Sequence, residues 1–205
     1  MYLLKPETPD LIPAVESLLD TVFGPGRNDK ASYQYRAGVQ PVADLSWTAY
    51  ADDKLVGTIR YWPILVGDSG TQALLLGPLG IDQDFAGRGI GRALTFKTLE
   101  LAAGLGYGLV LLVGDVDYYK RFGFVPATPY GFVMPGESRP HRLQVAALRD
   151  GLLDPAQPQL SGGEIRHIHS GEPSLQTTAP LAGAKRQRRG HRPAANANRR
   201  SQVAI

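Results

Sequence analysis

An α/β fold, with a mixed central sheet and helices on both faces, is what this sequence predicts, and three observations predict it. The apolar run Leu74 to Ile81 reads as a strand, and a glycine-rich turn, Gly87-Arg-Gly-Ile-Gly91, joins it to a helix from Ile90 to Ala103 with Ile90, Ala93, Leu94 and Leu101 on one face. Strand-like and helix-like patterns alternate through the second half of the chain, which favours helices layered on a sheet. The 205 residues, 43% of them hydrophobic, suffice for one domain with a full core.

The elements follow in order. Pro9 to Val22 fits a helix entered at Asp10, with Leu11, Val15, Leu18, Leu19 and Val22 apolar at helical spacing, and Phe23-Gly-Pro-Gly-Arg27 breaks it. A short second helix is expected around Ala31 to Val39. Trp47 to Tyr50, Lys54 to Trp62 and Ala73 to Ile81 then read as successive strands, separated by Asp-Asp and Gly-Asp-Ser-Gly turns. Pro78 cannot donate a ladder hydrogen bond, so it favours an edge or a bulge. After the helix at Ile90 come a strand at Leu109 to Val113, a short helix from Val116 to Phe122, and strands near Phe124 and from His141 to Leu148.

Composition excludes several classes. No apolar run approaches the roughly 18 to 20 residues of a membrane span, and the amino end lacks a signal-peptide layout, so a cytoplasmic location is expected. Cysteine is absent, which removes disulfides, thiolate zinc sites and cysteine nucleophiles. His141 and His191 are isolated and His167 and His169 are two apart, so no metal is expected.

The net charge of +3 hides an asymmetry. Residues 161–205 hold eight Lys/Arg against two Glu, which leaves 14 basic and 17 acidic residues before them. That segment is rich in Gly, Ala, Pro, Ser, Gln and Arg without sustained apolar periodicity, so the expected division is a folded domain at 1–160 and a basic, disordered tail at 161–205. The run Lys185-Arg-Gln-Arg-Arg189 would suit a nucleic-acid partner through counterion release, although aromatics for stacking on bases are missing. An altered reading frame or a poorly selected extension is the competing explanation.

The glycine-rich turn carries the function. At a helix N-terminus unpaired N–H groups point outward, the macrodipole adds partial positive charge, and glycines let an anion approach the backbone. Arg88 and Arg92 add formal charge. A Walker A loop needs a Gly-Lys-Ser/Thr ending that the chain lacks, and the dinucleotide fingerprint would need a small residue where Arg92 or Leu94 stands.

What remains resembles motif A of the GCN5-related N-acetyltransferases (GNAT), whose pattern of Gln or Arg, two residues, Gly, one residue, Gly or Ala ends here as Gly89-Ile90-Gly91, with Ala86 in place of the leading Gln or Arg. Tyr118-Tyr-Lys-Arg-Phe-Gly-Phe124 is similar to the family's Tyr-Glu-Lys-Leu-Gly-Phe signature, with Tyr119 in the tyrosine's place and Tyr118 as its rival. The short connection Val113-Gly-Asp-Val-Asp-Tyr is closest to the YhbS-like bacterial branch. The resemblance covers roughly residues 1 to 165.

By that resemblance the fold is GNAT-like and acetyl-CoA is the co-substrate. Its pantetheine arm would lie between the Leu79 and Leu109 strands, bonded to backbone at Leu79, Gly80 and Ile81, and its diphosphate would rest on Gly87, Arg88, Gly89, Ile90, Gly91 and Arg92. The family's bulge in this strand falls at Pro78.

Acetyl transfer needs an uncharged amine, a donor to the developing oxyanion and an acid for the departing thiolate. Tyr119 is the candidate acid, since a phenol of pKa about 10 is protonated at neutral pH. No acid occupies the strand where many members place a glutamate base; Asp115 and Asp117 are the nearby carboxylates, and both sit where turns and helix caps favour aspartate. An acceptor pocket is expected from Phe23 to Tyr35 and the Trp47 to Trp62 strands, where Arg27, Tyr33, Tyr35, Arg36, Arg60 and Trp62 stand out, the arginines suiting a carboxylate or phosphate. The leading expectation is an acetyltransferase acting on a small-molecule primary amine; an acyl-CoA sensor and a protein acetyltransferase recruited by the tail are the alternatives.

Overall fold

Alternate residues of the long apolar runs point to opposite faces of one sheet, and the architecture follows from covering both. The computed structural model describes residues 1–153 and 162–168. Strands β1 (Leu3–Pro6), β2 (Trp47–Ala51), β3 (Lys54–Val66) and β4 (Thr71–Ile81) pair antiparallel in chain order. Strand β5 (Leu109–Val113) lies parallel to β4, and β6 (Val125–Pro126) and β7 (Leu143–Ala147) complete the order β1-β2-β3-β4-β5-β7-β6.

Helix α1 (Ile12–Phe23), followed by the short α2 (Ala31–Gln34), packs on β3 and β4 from one face; α3 (Ile90–Gly104), the crossover that a parallel pair requires, covers the other. Two glycines set the approach of these layers. A Cβ at Gly57 would meet Ile90 of α3 at 3.1 Å, and one at Gly80 would meet Leu19 of α1 at 2.8 Å. Leu74, Leu76, Val110 and Leu112 bury under α3, whereas Ala73, Leu75, Leu109 and Leu111 bury in a second core with Phe132, Met134 and Val145. That alternation is the period of two expected of strands buried on both faces.

The fold class is the predicted one, and the differences have local causes. Pro9–Leu11 forms a 3₁₀ turn and α1 begins at Ile12, with no side-chain cap. A helix running from Pro9 would put Pro13 in its interior, where the ring clashes with the preceding turn; starting at Ile12 puts Pro13 in the first turn, which needs no N–H from it. The second helix ends at Gln34, and the chain continues in tighter turns, Arg36 N–H bonding Tyr33 C=O and Ala37 bonding Gln34. The helix expected at 116–122 divides into α4 (Val116–Tyr119) and a 3₁₀ turn, Lys120–Phe122.

The boundary predicted at residue 160 falls too early. Strand β8 (Ile165–Arg166) pairs with β3 at Leu65 and Val66, Glu164 bridges Val133, and Ile165 is buried in the second core. Gly162 and Gly163, which read as low complexity, allow close backbone approach: a Cβ on Gly162 would collide with Tyr130 and Gly131, and one on Gly163 with Gly67. The basic run at 185–189, and the rest of the predicted tail from residue 169, lie outside the described residues.

Candidate functional site

The site is built where β4 stops pairing with its neighbours. Between Ile59 and Tyr61 of β3 the register of β4 slips, so that Gly77 and Pro78 together stand opposite Arg60. This is a bulge in an interior strand, one of the two places open to Pro78. Pairing of β4 with β5 covers Leu74 and Leu75 and goes no further. The β5-facing edge of Leu79, Gly80 and Ile81 therefore opens onto a slot between the parted strands.

Below the slot the chain turns through Gly87 and Gly89, at φ of 75° and 81°. Both conformations are left-handed, and no atom lies within 4 Å of a Cβ built at either position, so backbone geometry rather than crowding calls for glycine. No side chain caps α3, and Ala93 is the first of its residues to bond a carbonyl four back, that of Gly89. The preceding N–H groups remain available for an anion.

Three cavities follow one another along this edge. The first, about 690 Å³, is lined by Leu79, Ile81 and the whole run Phe85 to Arg92, with Val22 and Phe23 of α1 across it and Tyr118, Tyr119 and Arg121 at its side. The second, about 220 Å³, is lined by Leu76 to Leu79, Val113 to Asp115, Tyr119 and Arg142, together with Tyr33 and Arg36. The third, about 450 Å³, lies beyond Pro78 and is lined by Glu16, Arg27, Tyr33, Arg36, Arg60 and Trp62, among others. Phe23, Leu79 and Tyr119 border the first two; Tyr33, Arg36 and Pro78 border the last two.

Of the nine residues predicted to hold the co-substrate, eight line the first cavity. Gly80 does not: the direction its side chain would take is toward Leu19 of α1. Arg121 is a cation that sequence reasoning missed, although it lies inside the tyrosine motif; its guanidinium stands 5.1 Å from the Tyr118 ring centroid. Arg88 lies over Phe85 and donates to Asp84 C=O at 3.1 Å, which fixes it at the turn.

The two tyrosines separate by position. A Cβ on Gly91 would come within 2.7 Å of the Tyr118 hydroxyl, so this phenol lies against the start of α3. Tyr119 sits at the junction of the first two cavities, packed edge-on against Tyr118 and Phe124 and so close over Gly114 that any side chain there would collide with its ring. Burial, followed by the neighbouring Tyr118, holds the Tyr119 phenol well above the ordinary tyrosine range. It keeps its proton at any physiological pH.

The nearby carboxylates are engaged. Asp115 accepts from Tyr118 N–H at 2.6 Å as the cap of α4, and Asp117 pairs with Lys120 at 2.7 Å on the surface. Asp115 nonetheless borders the second cavity.

On the acceptor side the six residues singled out from sequence divide three ways. Arg60 is bidentate on Glu7 through Nη2 at 2.5 Å and Nε at 2.9 Å, and its Nη1 bonds Glu16 at 2.5 Å. Arg27 bonds Glu16 and, at 2.6 Å, Asp20. Burial raises the Glu16 carboxyl, but hydrogen bonds from Arg60 and then Arg27 outweigh it and hold the group below its ordinary range. Tyr35 turns away into the second core, where its hydroxyl donates to Pro135 C=O at 3.2 Å. Tyr33, Arg36 and Trp62 remain on the cavity wall.

Among the described residues no cluster of His, Cys, Asp or Glu suits a metal ion, and no helix is long and apolar enough to cross a membrane.

Residues 12–124 match the model of the acetyltransferase (GNAT) family. The uncharacterized N-acetyltransferase YhbS of Escherichia coli K12 is 26% identical over 153 residues, 74% of this chain and 90% of that protein. The crystal structure of E. coli YhbS in complex with CoA superposes with a TM-score of 0.67 at 25% identity, covering 82% of this chain and 89% of that one. A GNAT family acetyltransferase from Brucella melitensis, in complex with acetyl-CoA, has the same fold, with a TM-score of 0.59 at 22% identity over 82% of this chain and 96% of that one.

Proposed function

Because the chain belongs to the acetyltransferase (GNAT) family, and is thus an acyltransferase that draws on acetyl-CoA, we propose that it acetylates a primary amine on a small molecule by direct attack within a ternary complex, with Tyr119 as general acid. The observation that carries this reading is the position of Tyr119 at the junction of the cavity under the glycine turn and the slot where β4 and β5 part. The thioester, when bound, supplies an activated acetyl group. The uncapped N–H groups from Gly87 to Arg92 bind the diphosphate, with Arg88, Arg92 and Arg121 adding positive charge, and the open edge of Leu79 to Ile81 orients the pantetheine arm.

Tyr119 holds its proton against bulk pH and gives it up to the thiolate sulfur as that charge develops. Tyr118, confined to the first cavity, positions the ring of Tyr119 through their edge-on contact. Solvent takes the proton from the acceptor's ammonium before attack, so that the uncharged amine is the nucleophile, since Asp115 caps α4 and Asp117 pairs with Lys120. The acceptor enters through the third cavity, whose volume suits a small molecule.

The test is acetyl-CoA turnover, read as thiol release, across a panel of small primary amines. Release that requires both an amine and Tyr119 supports the reading. Tight acetyl-CoA binding with no release for any amine would instead favour a sensing domain.

A further inference from the structure

Three arginines approach the third cavity, and two of them are neutralised. Arg60 lies between Glu7 and Glu16, and Arg27 between Glu16 and Asp20, so these two guanidiniums share three carboxylates, none of which bonds Arg36. Arg36 is different. Its guanidinium stacks 3.9 Å from the Tyr33 ring centroid and stands 6.0 Å from that of Trp62, and its Nε and Nη1 are buried with no hydrogen-bond partner among the described residues.

A second group on the same wall is orphaned. Trp62 Nε1 is also buried without a partner, and it too lines the third cavity. All three unmet atoms are donors. Leaving buried donors unmet is costly, and stacking on an aromatic face holds a guanidinium's plane while leaving its edges free for oxygen acceptors. Burial pushes Arg36 down to about 10, which still leaves it a cation at neutral pH.

Resting on the acetyl-transfer reading, we propose that the acceptor is an anionic amine, whose carboxylate or phosphate oxygens are taken by Arg36 and Trp62. Arg36 borders both the slot beside Tyr119 and the third cavity, so an anion held there leaves the amine end of a short molecule free to reach the slot. Arg27 and Arg60 play no direct part, because each is already held by two carboxylates.

The test uses Trp62 as its own reporter. The chain has two tryptophans, and Trp47→Phe, at a position outside the site, leaves Trp62 as the sole indole. The full chain carrying that change is titrated with acetate and, separately, with inorganic phosphate while tryptophan emission is followed. Calorimetry on the same protein measures acetyl-CoA affinity.

A saturable response to either anion is expected, weakened at least about tenfold by Arg36→Met with acetyl-CoA affinity unchanged. The stronger of the two probes assigns the anion. Arg36→Lys, which keeps the charge and loses the planar donors, is expected to fall between, and it serves should Arg36→Met fail to fold by circular dichroism. No saturable response to either anion, or the same response without the Arg36 side chain, overturns the proposal. Failure of the protein to bind acetyl-CoA while the anion response persists would count against acetyl transfer and leave the anion site standing.

Discussion

Replacing Tyr119 by Phe removes one oxygen and little else. The ring's edge-on contacts with Tyr118 at 4.9 Å and Phe124 at 5.7 Å, and its tilted contact with Phe122 at 6.1 Å, are all available to phenylalanine. Its hydroxyl makes no hydrogen bond among the described residues, so stability should stay within about 0.5 kcal/mol of the parent. The kinetic effect should be far larger. Losing a positioned proton donor costs about 10²- to 10⁴-fold, equivalent to roughly 3 to 5 kcal/mol of barrier. Steady-state thiol release should therefore show a fall in kcat with a nearly constant KM for acetyl-CoA. Tyr118→Phe, whose hydroxyl lies against α3 in the first cavity alone, should lose less than tenfold in kcat. Equal losses in the two variants, or the greater loss in Tyr118→Phe, would refute the assignment.

Gly114→Ala should lower kcat at unchanged acetyl-CoA affinity, because a methyl there collides with the Tyr119 ring; calorimetry beside kinetics checks it. Arg60→Leu should cost about 3 to 5 kcal/mol, since it strands the Glu7 carboxylate, whose side chain is only 6% exposed, and Glu7→Leu added to it should restore part of the loss in thermal unfolding. Burial raises the Tyr61 phenol far above its unfolded value, so the folded state retains that proton when the unfolded chain has lost it. Its contribution is intact below pH 10 and falls by about 1.4 kcal/mol per pH unit above that; urea unfolding at pH 9, 10 and 11 should show this slope, reduced in Tyr61→Phe.

The part of the site that sequence reasoning found is local. Gly87, Gly89 and the start of α3 make their cradle within a few residues, and a strand, a turn and a helix in succession were enough to expose it. The acceptor wall is not local. Arg27, Arg36 and Arg60 look alike in sequence, and only the fold that brings Glu7, just after β1, and Glu16 of α1 to Arg60, and turns Arg27 back onto Glu16 and Asp20, leaves the third without a carboxylate. Tyr33 and Tyr35 are two apart at the end of α2, a spacing that turns them to opposite sides, one to the cavity and the other to the core. Strand β8 is illegible in the sequence for a related reason. Two paired residues after Gly162-Gly163 carry no periodic signal, and their pairing with β3 is made across about a hundred residues.

The central claim is that acetyl-CoA rests on the turn from Gly87 to Arg92. Calorimetric titration of acetyl-CoA into the parent and into Gly89→Glu tests it most directly, with circular dichroism to verify that both are folded. No atom lies within 4 Å of a Cβ at Gly89, which borders the first cavity, so the substitution is made at the cavity wall and not in the core, while the left-handed φ of 81° strains the turn for any residue but glycine. Saturable binding by the parent and none by a folded Gly89→Glu is the expected result. Equal binding by both, or none by the parent, would contradict it.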